Sequence, residues 1–339
     1  MTSCVQYALQ VERLNKTYRP RGARASMHAV KDLSFALKPG EVAALLGPNG
    51  AGKTTAIKCI CQLITPSSGR VAVMGFDARR DSLRAIARLA TSFDGPRNVD
   101  MQLSVRENLE WFAGLQGISR GHARAEMDAL LETFSLTDKC NAITQTLSRG
   151  TVQRLSLACC LIKRADVILL DEPTLGLDHQ SSHELRAIIK RLAHNEGKTL
   201  LISSHDMAAV QDVCTRALVM RRAELVADAK LTSLMERFSS QAQYEITVRV
   251  DPTESLHRGL RLCGLAFERN PTTGRFSVRI KREGEGLHRV LNALRESRVQ
   301  LESVASHQPT IESVLRQLLQ DDVSGNAHDA RRGMDGPDT

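Results

Sequence analysis

Residues 47–55 read GPNGAGKTT, which satisfies G-x-x-x-x-G-K-[ST]. Glycines at those places let the backbone wrap close to a phosphate with its N–H groups pointing inward. The N-terminus of the helix that follows adds a favourable dipole. Lys53 would reach the β- and γ-phosphates of a nucleotide, and Thr54 would place its hydroxyl on Mg²⁺. A second stretch, VILLDE at 167–172, brings two acids to the end of an apolar run. Asp171 would hold the Mg²⁺ shell, directly or through water, and Glu172 could orient and deprotonate an attacking water. LLISSH ends at His205 just past another apolar run, where an imidazole can sense a γ-phosphate. LSRGTVQR, residues 147–154, sets Ser148 and Gly150 ahead of a further helical stretch. That is a helix N-terminus with a hydroxyl cap, able to bind a second anion or the same anion from another direction. His179 and His183 have i, i+4 spacing, but no third ligand accompanies them, so a metal site there is not favoured.

The elements that must carry these residues alternate. YALQVERLNKTY and AVKDLSFAL alternate as strands do, and a Pro-Gly turn at 39–40 leads into the buried-strand run VAALLG. GKTTAIKCICQLI reads as a helix, GRVAVMGFDARR as a short strand and turn, and residues 82–165 as largely helical. ADVILLDEPT and TLLISSH are buried strands on either side of the helix SSHELRAIIKRLAHNEGK, and MAAVQDVCTRALVMRRAELVAD offers a helix and a hairpin. Apolar strands alternating with helices predict an α/β fold with a parallel sheet covered on both faces. The pattern changes near residue 240. YEITVRV, SLHRGLRLCG, ERNPTTGRFSVRI, EGLHRVLNALRES, VQLESVAS and TIESVLRQLLQ predict a small α+β module of ferredoxin-like order, and the polar end is expected to be disordered.

The 339 residues suffice for one large domain and a smaller one. A net charge of +8 suits an anionic partner such as nucleic acid, a polyphosphate or an acidic membrane leaflet; solvated arginine-rich helices would account for it equally well. None of the eight cysteines forms a C-x-x-C pair, and most sit in apolar runs such as LACCLI. They read as small hydrophobes in a reducing compartment. The opening residues lack a signal-peptide core, and no apolar run approaches the roughly 18 residues of a spanning helix, so no transmembrane path is expected from this chain alone.

In this order the elements resemble the ATP-binding cassette (ABC) ATPases over residues 7–235. The phosphate loop matches Walker A, VILLDE Walker B, LSRGTVQR the signature, LGLD at 175–178 the D-loop, and His205 the H-loop. The resemblance implies a nucleotide-binding set of Gly47, Pro48, Asn49, Gly50, Ala51, Gly52, Lys53, Thr54 and Thr55, with ATP and Mg²⁺ as ligands. It further implies head-to-tail homodimers in which Ser148 and Gly150 act on the nucleotide of the other copy, with Asp178 at the seam. Tyr18, in NKTYR, matches the aromatic that stacks on adenine, although a core tyrosine at a strand end is a rival reading. Two positions depart from the family pattern. Arg149 stands where the signature usually has its second glycine, and Asp94, in LATSFDGPRN, stands where a glutamine is usual. An acid at 94 can still reach Mg²⁺ through water.

The extension after residue 238 resembles that of drug-exporter ATPases of the daunorubicin-resistance type. The implied organisation is a P-loop ABC ATPase domain at 1–238 with a helical subdomain at about 95–165, a ferredoxin-like accessory or dimerisation domain at 239–321, and a disordered tail at 322–339. The implied function is an ATP-hydrolysing subunit, peripheral at the cytoplasmic face of the membrane, that powers a separate integral-membrane permease for export. No nucleic-acid partner is expected. The permease would meet residues 93–112, where the solitary Trp111 either joins that surface or fills helix core. The alternative is a soluble cassette ATPase acting on ribosomes or nucleic acid. Its relatives carry paired cassettes or a long coiled coil, and neither is evident here.

Overall fold

The computed structural model describes residues 6–19, 26–93, 98–237, 243–248, 268–269, 276–281, 286–296, 300–307 and 310–320. Asp94, the helix read at 255–264 and the tail at 322–339 lie outside the described residues. Cα proximity divides the chain into two units, Met1–Leu231 and Thr232–Thr339.

In the first unit a six-stranded sheet has the order β10-β9-β3-β8-β7-β6. Its parallel strands are β3 (Val42–Leu46), β6 (Leu89–Ser92), β7 (Val167–Asp171), β8 (Thr199–Ser203) and β9 (Arg216–Arg221), and β10 (Glu224–Lys230) closes it in an antiparallel hairpin. Every residue of β3, β7 and β8 is buried, as parallel strands with both faces covered require. A second, antiparallel sheet runs β2-β1-β4-β5, formed by β1 (Leu9–Tyr18), β2 (Met27–Leu37), β4 (Ser68–Val73) and β5 (Phe76–Asp77). Helix α1 (Lys53–Ile60) lies in the core that joins the two sheets. Ile57 and Ile60 share that core with Leu9, Val11 and Val73 of one sheet and Leu45 and Leu169 of the other. Each such side chain contributes roughly 1.5–3 kcal/mol of burial. The glycine-rich loop therefore leads into a helix that cannot shift without opening both sheets.

The helical stretch comprises α3 (Val105–Leu115), α4 (Arg120–Thr133) and α5 (Arg149–Leu161); a short α2 (Ser82–Ala87) precedes it. A reciprocal capping box between Ser104 and Glu107 starts α3. Asn108 is fully buried and satisfies its amide on the Asp100, Leu103 and Ser104 carbonyls and the Thr144 hydroxyl, while its oxygen accepts from the Asp100 N–H. This one side chain ties α3 to the loops on both sides. Val105, Leu109 and Ala113 face inward at i, i+4 and i+8. Trp111, on the other side, is 58% exposed, so it is not helix core. Burial pushes the thiols of Cys160 and Cys214 up to about 12, which makes them inert small hydrophobes.

Beyond β9 and β10, α8 (Leu231–Arg237) leads into the second unit. There β12-β13-β11-β14 form an antiparallel sheet from β11 (Gln243–Val248), β12 (Glu268–Arg269), β13 (Phe276–Lys281) and β14 (Leu301–His307). Numbered within the unit that order is 2-3-1-4, the ferredoxin-like arrangement. Ile246, Val248, Val278 and Ile280 pack with Val290 and Leu294 of the helix Gly286–Glu296, here α9. A final helix, α10 (Ile311–Gln320), buries Ile311, Val314 and Leu315. No helix among the described residues is long and apolar enough to cross a membrane.

Candidate functional site

The chemistry-bearing residues of the first unit gather where parallel strands end, the edge at which open α/β sheets bind ligands. The loop after β3 turns through Gly47, Gly50 and Gly52 at φ of 150°, 81° and 103°. At Gly47 an added Cβ would fall inside the carbonyl oxygen of Met220 and 3.2 Å from its carbon. At Gly52 it would overlap the carbonyl oxygen of Ala29 and lie 3.4 Å from that carbon. Both positions therefore admit only glycine, for space as well as for backbone conformation. Ala51 is buried, its N–H on the Pro48 carbonyl at 3.1 Å, while Pro48, Asn49 and Gly50 form the exposed outer wall. Lys53, the first residue of α1, is 6% exposed, and its ammonium donates to the carbonyls of Gly47 at 2.7 Å and Pro48 at 3.3 Å. Thr54 is exposed and Thr55 half-buried in the same first turn. A buried cation inside a ring of backbone is suited to phosphate.

Asp171 ends β7 with 4% exposure, directly opposite Ser203, the last residue of β8. The Ser203 hydroxyl donates to Asp171 Oδ1 and accepts from the Glu172 N–H at 3.1 Å, and the Ser203 carbonyl accepts that same N–H at 3.0 Å. One fully buried serine thus orients both acids. Glu172 sits at φ 51°, an uncommon place for a residue with a Cβ. That bend turns its carboxylate to His205, whose Nδ1–H donates to Oε2 at 2.8 Å while the His205 backbone N–H donates to the same oxygen at 3.3 Å. Thr54 and Asp171 offer hard oxygen donors of the type Mg²⁺ prefers, so the residues present fit that ion.

Ser148 and Arg149 are exposed at the start of α5. The Ser148 hydroxyl caps the helix by accepting from the Thr151 N–H at 3.3 Å, and it lies 2.9 Å from the Thr151 hydroxyl. Gly150 is buried against Ser181. Asp178 caps α6 (His179–His194), accepting the Ser181 N–H at 2.9 Å and its hydroxyl at 2.7 Å. The Ser181 N–H above all holds the Asp178 carboxyl below its ordinary range. Arg154 of α5 meets Glu184 of α6 at 2.9 Å. His179 and His183 are exposed, and no group of three potential metal ligands occurs among the described residues. Tyr18 is half-buried at the end of β1, paired with Met27, and the Lys16 ammonium lies 5.0 Å from its ring centroid, so it is not a fully packed core residue.

Sequence reasoning singled out these strand-end and helix-start residues but passed over Ser203. A signal was available: a polar residue closing an otherwise apolar run, at the same place in LLIS as Asp171 in VILLD.

A family model described as ABC transporter matches residues 30–175. The ABC transporter ATP-binding protein NatA of Bacillus subtilis (strain 168) is 37% identical over 213 residues, 63% of this chain and 86% of that protein. The Nod factor export ATP-binding protein I of Burkholderia thailandensis is 38% identical over 213 residues, covering 61% and 67% respectively. Among solved structures, a bacterial ABC transporter cassette in dimeric form superposes with a TM-score of 0.59 at 25% identity, over 66% of this chain and 98% of that one.

Proposed function

This chain belongs to the ABC transporter family as an ATP-binding, ATP-hydrolysing subunit, and from that premise we propose that it works as one half of a head-to-tail homodimer that powers export through a separate membrane-embedded permease. The observation that carries the reading is the split of its chemistry. Lys53, Asp171, Glu172 and His205 converge on strand ends, whereas Ser148, Gly150 and Asp178 sit on two neighbouring helix N-termini. The first set holds a nucleotide; in the second, the exposed Ser148 at the start of α5 suits the phosphates of a nucleotide held by another copy, with Asp178 at the seam. A dimeric relative cassette and a relative named for export support this reading.

In the proposed site the loop 47–55 wraps the phosphates, Lys53 offsets their charge, and Tyr18 stacks on adenine. Thr54 and Asp171 would hold Mg²⁺, which when bound would supply charge neutralisation at the phosphates. For Asp94 a water-mediated part in that shell rests on the family resemblance. Glu172 accepts a proton from the attacking water, and His205 keeps its carboxylate aimed by the two hydrogen bonds to Oε2. Ser148 donates to the γ-phosphate across the seam. The work is positioning and charge stabilisation rather than covalent catalysis.

For the permease we propose the groove of about 1080 Å³ between α3 and α4, lined by Arg106, Glu110, Trp111 and Met127 among others. An exposed indole rimmed by charges is the composition expected of a protein-docking surface. Residues 1–238 would then be the ATPase domain, at the cytoplasmic face of the membrane, with 239–321 as the accessory domain. Both relatives described above are named as transporter or export proteins, and nothing favours a ribosome- or nucleic-acid-directed ATPase. The test is affinity purification from membranes. Recovery of an integral-membrane protein that stimulates ATP hydrolysis supports the reading; recovery of RNA or DNA, with no membrane protein, overturns it.

A further inference from the structure

Arg149 is the residue at which the second helix N-terminus departs from its family pattern, and its side chain has a definite seat. The turn before α6 begins at Glu172, whose carbonyl accepts the Leu175 N–H at 3.1 Å, and it continues with the Leu177 N–H on the Thr174 carbonyl at 3.3 Å. Gly176 lies at its crest with φ 70°. A Cβ built on Gly176 would lie 2.5 Å from the guanidinium carbon of Arg149 and 2.8 Å from Nη2, with Nη1 nearer still. Three atoms of one planar group at such similar range mean that the guanidinium lies flat against the bare Cα of Gly176. A second contact lies beside it. A Cβ on Gly150 would fall 2.8 Å from the Cβ of Ser181 and closer to its hydroxyl, and Ser181 is the residue that holds Asp178. The start of α5 and the 172–181 segment therefore meet at two points, each possible only because one side contributes a glycine.

We propose that Arg149 is a positioning residue that clamps the Gly176 turn to the start of α5, so that Ser148, Asp178 and the turn springing from Glu172 move as one body. An exposed arginine gains little from burial here, and what the contact offers is register. The hydroxyl that would meet another copy's phosphate becomes mechanically tied to the loop that begins at this copy's own general base. The inference rests on the two-copy reading above, under which those groups serve different nucleotides.

The test is a double-mutant cycle of Arg149→Ala and Gly176→Ala in the full chain. Steady-state ATPase, equilibrium ATP binding and thermal midpoint are read for each member. Arg149→Ala is expected to lower kcat about fivefold to tenfold, with ATP affinity within twofold and the midpoint nearly unchanged. Gly176→Ala drives a methyl into the guanidinium and is expected to lower kcat comparably. In the Arg149→Ala background the same Gly176→Ala change should cost less than half its effect in the parent, because the atoms it collides with are gone. Independent, multiplicative losses, or an Arg149→Ala enzyme with parental kcat, would overturn the clamp. Ser148→Ala run alongside separates the two readings. If it leaves hydrolysis intact, the two-copy assignment of Ser148 fails, while the cycle still decides whether Arg149 and Gly176 act together.

Discussion

Lys53 and Asp171 are 6% and 4% exposed, whereas Ser148 and Arg149 of the same unit are exposed to solvent. The strand-end half of the site is built from the core outward. Its cation is ringed by carbonyls, its acids are oriented by a buried serine, and its glycines lie against the carbonyls of Met220 and Ala29. The helix-start half is built from caps and close approaches at the surface, with a hydroxyl, backbone N–H groups and a guanidinium but no acid of its own beyond Asp178, which is occupied by Ser181. The first half has the charge and the base for hydrolysis, and the second offers donors beside a carboxylate already engaged by Ser181. The two halves must therefore fail differently.

The sharpest way to test that difference is at Glu172. Glu172→Gln keeps the backbone and one hydrogen-bond acceptor but removes the base, so phosphate release should fall by about 10²–10⁴-fold. ATP binding should persist, and gel filtration with ATP should show a trapped dimer. A variant that turns over at the parental rate would remove the general base from the strand-end half. Next in size is Ser203→Ala, which strips the buried Asp171 carboxylate of its donor and the Glu172 amide of one acceptor. A loss of about 1–3 kcal/mol in denaturant unfolding is expected, with a raised Mg²⁺ requirement for hydrolysis. Ser203→Thr should restore much of both. If the alanine variant is as stable as the parent, the core-outward description of this half is wrong.

Ser148→Ala probes the other half. It loses a cap worth about 1 kcal/mol and, by the charge-assisted bond it removes, roughly tenfold in hydrolysis. ATP affinity of the isolated chain should barely move. An equal loss of affinity would erase the distinction between the halves. The smallest effect is expected at Trp111→Ala. Basal hydrolysis should stay within about twofold, since a surface change away from the site is usually worth under 0.5 kcal/mol, while stimulation by membranes containing the permease should vanish.

How much of this could be read beforehand depends on distance along the chain. The phosphate loop, the acids of VILLDE and His205 are contiguous motifs whose neighbours are their context, so residue order carried them. Trp111 is legible too, because Val105, Leu109 and Ala113 at helical spacing put residue 111 on the opposite side of α3. Contacts across sequence were not legible. Ser203 meets Asp171 from 32 residues away, a pairing that only sheet order decides. The seat of Arg149 depends on a bare Cα at Gly176, and a string of letters shows the glycine without showing what lies on it. Asp94 keeps its place as a departure from the family pattern, outside the described residues.

The bend at Glu172 has a consequence for how such a chain can change. A side chain held at positive φ costs on the order of 1–2 kcal/mol relative to glycine. The position is therefore one where replacement by glycine, which also removes the carboxylate, relieves the backbone. Selection for thermal endurance alone, blind to turnover, would be drawn toward discarding the general base proposed here.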